Sequence, residues 1–189
     1  MESIWLLPPA TRSTTYAIGT ANDSTHLTST EPAFRAMTDF RRECPITIEA
    51  RSLIDDAASC MNRERIHALL VKRAIGMSFA QQAVGLITYY DIERCRLRRC
   101  PQATTPSGKA GVRVEDVMTS SDDLPVVRYE SLQSLRASDL YKRFQGSGLT
   151  HLLVIETLGV GFALVRGLIS RAALTMRLHR PRCPSAAVR

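Results

Sequence analysis

No apolar run in the chain approaches the roughly 20 residues that cross a bilayer, and the opening Ile4-Trp5-Leu6-Leu7 is cut off by Pro8-Pro9 before a secretory core forms. Neither a membrane span nor an export signal is expected, and the cytoplasm is the default location. Cys44, Cys60, Cys95, Cys100 and Cys183 contain no Cys-x-x-Cys. An odd, scattered set argues against a disulfide framework, so reduced thiols are the simpler expectation. Cys95, Cys100, His179 and Cys183 are four ligand-type residues, but Cys-x4-Cys with a distant His-x3-Cys is poor zinc spacing, and no metal is expected.

Catalytic signatures are missing too. There is no Gly-x-Ser-x-Gly, no Gly-x4-Gly-Lys-Ser/Thr and no His-Glu-x-x-His, and His26, His67, His151 and His179 have no evident triad partners. An enzyme is not expected. Acidic residues are absent from two stretches: Arg94 to Arg113 holds six basic residues, and Arg171 to Arg189 holds five. The net charge of +7 therefore resides in a connector and a tail, and the rest is mildly acidic. Such segments either keep a protein soluble or attract phosphate groups. No helix-turn-helix, zinc-finger or RNA-binding signature accompanies these arginines, and Tyr89 and Tyr90 are not interleaved with them, so nucleic acid is not an expected partner.

What the chain does have is an internal repeat. Gly85-Leu86-Ile87-Thr88-Tyr89-Tyr90-Asp91 recurs 82 residues later as Gly167-Leu168-Ile169-Ser170-Arg171-Ala172-Ala173. Before each stands an apolar run headed by histidine, His67-Ala68-Leu69-Leu70-Val71 and His151-Leu152-Leu153-Val154-Ile155, 84 residues apart. Two matched pairs in the same order indicate duplication.

Residues 1–37 are rich in Ser and Thr with no sustained period and read as an irregular arm, with a short lead-in helix expected over Ala33–Arg42. Ile46 to Ile48 alternates like a short strand. Ser52 is the expected N-cap of a helix burying Leu53, Ile54, Ala57, Ala58 and Met61. The runs Ile66–Val71 and Val84–Thr88 suit strands buried on both faces, and Asp91 opens a helix. After a Pro- and Gly-containing basic linker the order returns. Leu124 to Val127 reads as a strand, and Ser131 caps one helix carrying Leu132, Leu135, Leu140 and Phe144 that ends at Gly146-Ser147-Gly148. Leu149–Ile155 and Val165–Ile169 pair as strands, and a helix runs from Arg171 to Leu178. Each half reads strand, helix, strand, strand, helix, and neither buries enough surface to stand alone.

These marks, with Asp116-Val117-Met118-Thr119 and the helix before Ser147-Gly148, resemble a tandem pair of cystathionine-β-synthase (CBS) domains, the Bateman module. The resemblance covers about residues 38 to 178. It implies an α+β fold of two βαββα repeats packed as one pseudo-two-fold module. Its divisions are an arm at 1–37, a first repeat at 38–97, a basic linker at 98–113, a second repeat at 114–178 and a basic tail at 179–189. It further implies a non-catalytic sensor of AMP, ADP, ATP or S-adenosylmethionine, with no resident cofactor, that dimerises with itself and acts on a separate target protein. The main site would join Thr88, Tyr90 and Asp91 to Asp123, Leu124, Pro125, Thr150 and His151. Asp91 would hold the ribose hydroxyls, Thr88 and the helix N-terminus a phosphate, and Leu124 and Pro125 would flank the adenine. A second, weaker site would join Ser170 to Cys44, Pro45, Ile66 and His67. There the ribose position is Ala173, and Arg166 and Arg171 stand near as anion-binding candidates. The competing reading of Asp91 is a simple helix cap. The competing reading of the whole is a ligand-free scaffold that engages a partner protein or nucleic acid through the basic linker and tail.

Overall fold

The computed structural model describes residues 26–74, 81–98, 103–104, 110–159 and 162–179. The Ile4–Leu7 segment, Cys100, Cys183 and the tail beyond His179 lie outside them. In chain order the elements are β1 (Thr38–Asp39), β2 (Thr47–Glu49), α1 (Ile54–Glu64), β3 (Ala68–Ala74), β4 (Gln81–Thr88), α2 (Tyr89–Arg98), β5 (Ala103–Thr104), β6 (Ala110–Gly111), β7 (Thr119–Ser120), β8 (Val126–Arg128), α3 (Tyr129–Ser134), α4 (Ala137–Ser147), β9 (His151–Gly159), β10 (Phe162–Ser170) and α5 (Arg171–His179). Short 3-10 turns at Ala33–Ala36 and Val114–Asp116 precede β1 and β7. The α+β class and the βαββα order of each repeat are as the sequence implies.

The first compact unit is built on Cys44–Leu124, with its sheet in the order β2-β3-β4-β7. β2 lies parallel to β3, with Ile48 opposite Val71, and β3 runs antiparallel to β4, with Leu69 opposite Ile87. α1 covers the sheet because Ile54, Ala57, Ala58 and Met61 recur at helical spacing, and all four are buried with Leu69, Val71, Ile87 and Ile92. Burial of a side chain the size of Ile54 or Met61 contributes about 1.5–3 kcal/mol. The cap differs from expectation. Ser52 gives its N–H to the Glu49 carbonyl and its own carbonyl to Val114, so Leu53 is the N-cap, with Asp56 Oδ2 accepting the Leu53 N–H at 3.4 Å. At the other end Arg65 turns left-handed (φ 55°), which lets the Ile66 N–H close onto the Met61 carbonyl. Arg96 ties α2 to α1, and its hydrogen bonds to Asp55 and then Glu93 hold its pKa above the ordinary arginine value.

The second unit repeats the plan, with its sheet in the order β1-β10-β9-β8 and Val127 opposite Val154 in the parallel pair. Its core gathers Leu132, Leu140, Phe144, Val154, Ile169 and Leu174. Gly148 ends α4 at φ 69°, a left-handed stop that glycine adopts without a Cβ penalty. In both units the apolar runs are buried on both faces, Leu69-Leu70-Val71 in one and Leu153-Val154-Ile155 in the other.

The units do not follow the sequence repeats. β1, at the expected start of the first repeat, belongs to the second unit, where Thr38 and Asp39 pair antiparallel with Leu168 and Gly167 of β10. β7 pairs in the same way with β4, with Thr119 opposite Leu86 and Ser120 opposite Gly85. The segments before them are stitched in by matching bonds. Ile54 N–H reaches Val112 O, and Ala137 N–H reaches Glu31 O; Val114 N–H reaches Ser52 O, and Ala33 N–H reaches Leu135 O. Leu27, Ala33 and Ala36 are thereby buried in the second core, and Val112 and Val114 in the first. Residues from 27 onward are thus an ordered part of the second unit rather than an irregular arm, and the lead-in over Ala33–Arg42 is a short turn followed by a strand.

The same stitching divides the single helix expected from Ser131. Leu135 and Arg136 are extended, Leu135 O accepts Ala33 N–H, and Arg136 bridges Pro32. Their backbone groups are spent on the lead-in segment, so α3 and α4 stay separate. The linker at 98–113 is structured in part: β5 pairs antiparallel with β6, and Gly111 sits against Leu53. Cys44 and Cys60 are free thiols, but Cys95 is disulfide-bonded. This corrects the expectation of reduced thiols throughout and removes Cys95 from any thiolate ligand set.

Candidate functional site at the Thr88–Asp91 corner

β4 passes directly into α2, so Thr88 ends a strand and Asp91 stands in the first helical turn. Asp91 Oδ2 accepts the Thr88 N–H at 2.9 Å and the Thr88 hydroxyl at 2.6 Å, while Thr88 Oγ1 accepts the Asp91 N–H at 3.2 Å. This reciprocal cap orders the corner. The Tyr89 N–H is held by the His67 carbonyl at 2.9 Å, which anchors the helix start to the residue just before β3. The corner is half-buried, and Tyr90 beside it is 71% exposed.

Two chemical consequences follow. Among the described residues Asp91 Oδ1 accepts no hydrogen bond, so one carboxylate oxygen, oriented by the cap, is available to hydroxyl donors. The Thr88 hydroxyl proton, by contrast, is committed to Asp91, and giving it to a phosphate would cost the 2.6 Å bond. The cap and the binding reading of Asp91 are thus compatible, one oxygen each.

Asp123 and Leu124 lie along the edge of the same sheet. β7 runs beside Gly85 and Leu86, and the turn after it closes with Asp123 and Leu124 N–H on Ser120 O. Asp123 is exposed and Leu124 buried. Gly85 is required there: a Cβ would stand 2.5 Å from the Thr119 carbonyl oxygen and 2.8 Å from the Met118 sulfur. Pro125, Thr150 and His151 belong to the second unit. There the Pro125 carbonyl takes the Leu153 N–H, Thr150 is exposed, and His151 Nδ1 lies 3.1 Å from the Thr150 hydroxyl at the start of β9.

The second corner has the same backbone and poorer chemistry. The Ala173 N–H reaches Ser170 Oγ at 3.5 Å, and no carboxylate stands in the first turn of α5. Cys44 and His67 are exposed and Pro45 and Ile66 half-buried, all in the first unit. Arg166 is not an open anion receptor. It is 7% exposed, its Nη2 donates to Asp39 at 2.7 Å, Nη1 stands 3.7 Å from Glu156, and the guanidinium lies 4.9 Å from the Tyr129 ring centre. Sequence reading missed this cluster, because Asp39 and Arg166 are joined only by the pairing of β1 with β10.

No protein-family model and no curated protein matches the chain. Solved structures do. An uncharacterized conserved protein from Pyrococcus horikoshii aligns over 85% of this chain and all of its own, at 18% identity and TM-score 0.55. The CBS domain of a bacterial CNNM/CorC family Mg2+ transporter, solved in complex with ATP, aligns over 78% of this chain and 86% of its own, at 15% identity and TM-score 0.51. A CBS-domain-containing protein from Agrobacterium tumefaciens aligns over 73% of this chain and 88% of its own, at 17% identity and TM-score 0.50.

Proposed function

We propose that this chain, which has the fold of a tandem CBS-domain pair, is a non-catalytic regulatory module that binds an adenosine-containing ligand at the Thr88–Asp91 corner. The observation that carries this reading is Asp91 itself, a carboxylate with one oxygen fixed by the cap and the other open to a ribose. Asp123 and Leu124, on the neighbouring sheet edge, would bound the ligand. ATP in the transporter's CBS domain supports the ligand class; AMP, ADP and S-adenosylmethionine are the alternatives. One main ligand per chain is expected, because the second corner has Ala173 where the first has Asp91. Ligand can change assembly or the hold on a separate target protein only through different affinities for the two states. A homodimer is the proposed assembly. Tyr90 and Leu97, 71% and 84% exposed and two turns apart on α2, support a protein contact there.

Calorimetry against the four ligands tests the reading, with Asp91→Ala and Asp91→Asn beside the parent and folding checked by circular dichroism. Binding near one ligand per chain that is lost in Asp91→Ala supports it. Binding that survives moves the site to the Ser170 corner. Silence from every ligand at millimolar concentration overturns it in favour of a scaffold. His151→Ala in the same titration tests the contribution expected of the second repeat.

A further inference from the structure

The two lead-in strands are close copies that nonetheless occupy different sheets. Met37-Thr38-Asp39 lies on Gly167-Leu168, and Met118-Thr119-Ser120 lies on Gly85-Leu86, with the same register and the same methionine against the same glycine. Backbone pairing and close approach are equivalent at both places. Hydrogen bonds along the strands therefore cannot choose which copy goes where, and near-identical strands are prone to exchange.

The side chains do discriminate, and the buried charged difference lies at Asp39 and Arg166. Asp39, opposite Gly167, pairs with Arg166, whereas beside Ser120, opposite Gly85, the position that matches Arg166 is Val84. Arg166 is more than nine-tenths buried, and among the described residues its Nε and Nη1 have no hydrogen-bond partner and Asp39 supplies its one hydrogen-bonded carboxylate. The charged and aromatic groups around it are Asp39, Glu156 at 3.7 Å, and Tyr129, which also packs edge-on against Phe34 at 6.2 Å; Arg41 occupies Glu156 from the other side at 2.7 Å. An exchanged arrangement would set Ser120 beside a buried guanidinium and Asp39 beside buried Val84. Both are unfavourable, since a buried charge deprived of its partner is costly.

We propose that the Asp39–Arg166 pair is a pairing code that assigns each lead-in strand to its sheet by penalising the exchanged alternative. Its value lies in specificity more than in net stability, as single buried polar contacts can do when two registers are otherwise equal.

Cross-strand NMR contacts test it. Asp39–Gly167 and Gly85–Ser120 are non-hydrogen-bonded pairs, flanked by the Phe40 N–H to Arg166 O and Ser121 N–H to Val84 O bonds, so their α-protons lie close together. The parent should show only 39–167 and 85–120 contacts. The double variant Asp39→Ser with Arg166→Val removes this charged difference between the sheets. Val84→Arg with Ser120→Asp removes it in the other way, by giving the first sheet the same charged pair, and stands in if the first does not fold. Either should show the exchanged 39–85 and 120–167 contacts, with the native-to-exchanged ratio falling at least tenfold. Native contacts alone in every variant that folds would overturn the proposal.

Discussion

At the first corner Asp91 takes two hydrogen bonds from Thr88 on one carboxylate oxygen, whereas at the second Ser170 takes one long bond from Ala173 N–H and no carboxylate stands in the first helical turn. At the lead-in strands the asymmetry is reversed: the first unit sets Ser120 near Val84, and the second sets Asp39 on buried Arg166. The duplicated scaffold thus places its polar side chains at different points, at the strand-to-helix corner in the first unit and between paired strands in the second. Backbone geometry can be shared by copies while function diverges, because a corner or a latch is decided by one or two side chains.

The largest effect should come from the second unit's latch. Asp39→Ala strands a buried guanidinium and should cost about 3 kcal/mol in denaturant unfolding, whereas Ser120→Ala at the matching place should cost less than about 0.5 kcal/mol. Next come the glycines, where the two units should respond alike. At Gly85 a Cβ meets the Thr119 carbonyl, and at Gly167 it overlaps the Thr38 carbonyl and stands 2.6 Å from the Met37 sulfur. Either glycine to alanine should cost about 1–3 kcal/mol, and a large difference between them would break the equivalence of the strand pairings.

The corners themselves should separate binding from stability. Thr88→Ala removes a two-way cap and should cost about 1 kcal/mol, and Ser170→Ala should cost less by thermal unfolding. Ala173→Asp is the sharper test, because it gives the second corner the carboxylate it lacks. The expected outcome is a second binding event in calorimetry, and none appearing would show that the corner needs more than its carboxylate.

The smallest effect concerns the lead-in segments under acid. The Glu31 carboxyl sits below the ordinary glutamate range, chiefly because it accepts the Thr28 N–H at 2.6 Å, with the Thr28 hydroxyl and Arg35 adding to it against desolvation. Its folded pKa is depressed, so the stabilisation is complete above the ordinary glutamate value and is lost as pH falls through the lowered one. Glu31→Gln should cost less than about 1 kcal/mol at neutral pH, and parent and variant should converge in strong acid. Val112 fills the matching position in the first unit, its carbonyl accepting the Ile54 N–H as that of Glu31 accepts the Ala137 N–H, so that segment should show no such pH dependence.

Much of this was legible from residues in order. The apolar runs, the Gly148 stop and the strand-to-helix corners depend on neighbours a few residues apart, and Thr88 and Asp91 meet because three residues separate them at a helix start. The division of α3 from α4 was not legible, because a helical apolar pattern runs through Leu135 and the break comes from Ala33, about a hundred residues earlier. Arg166 read as a loose anion receptor for the same reason. Nothing near it in sequence shows that Asp39 neutralises it.

By itself the sequence determined the duplication, the order of elements in each repeat and the first corner's cap, because periodicity, turn residues and short-range hydrogen bonds act within a few residues. Only the tertiary structure decided which lead-in strand joins which sheet, where each unit begins, and that a buried arginine is a latch. Strand pairing brings together residues far apart in the chain, and local pattern carries no record of which partner is chosen.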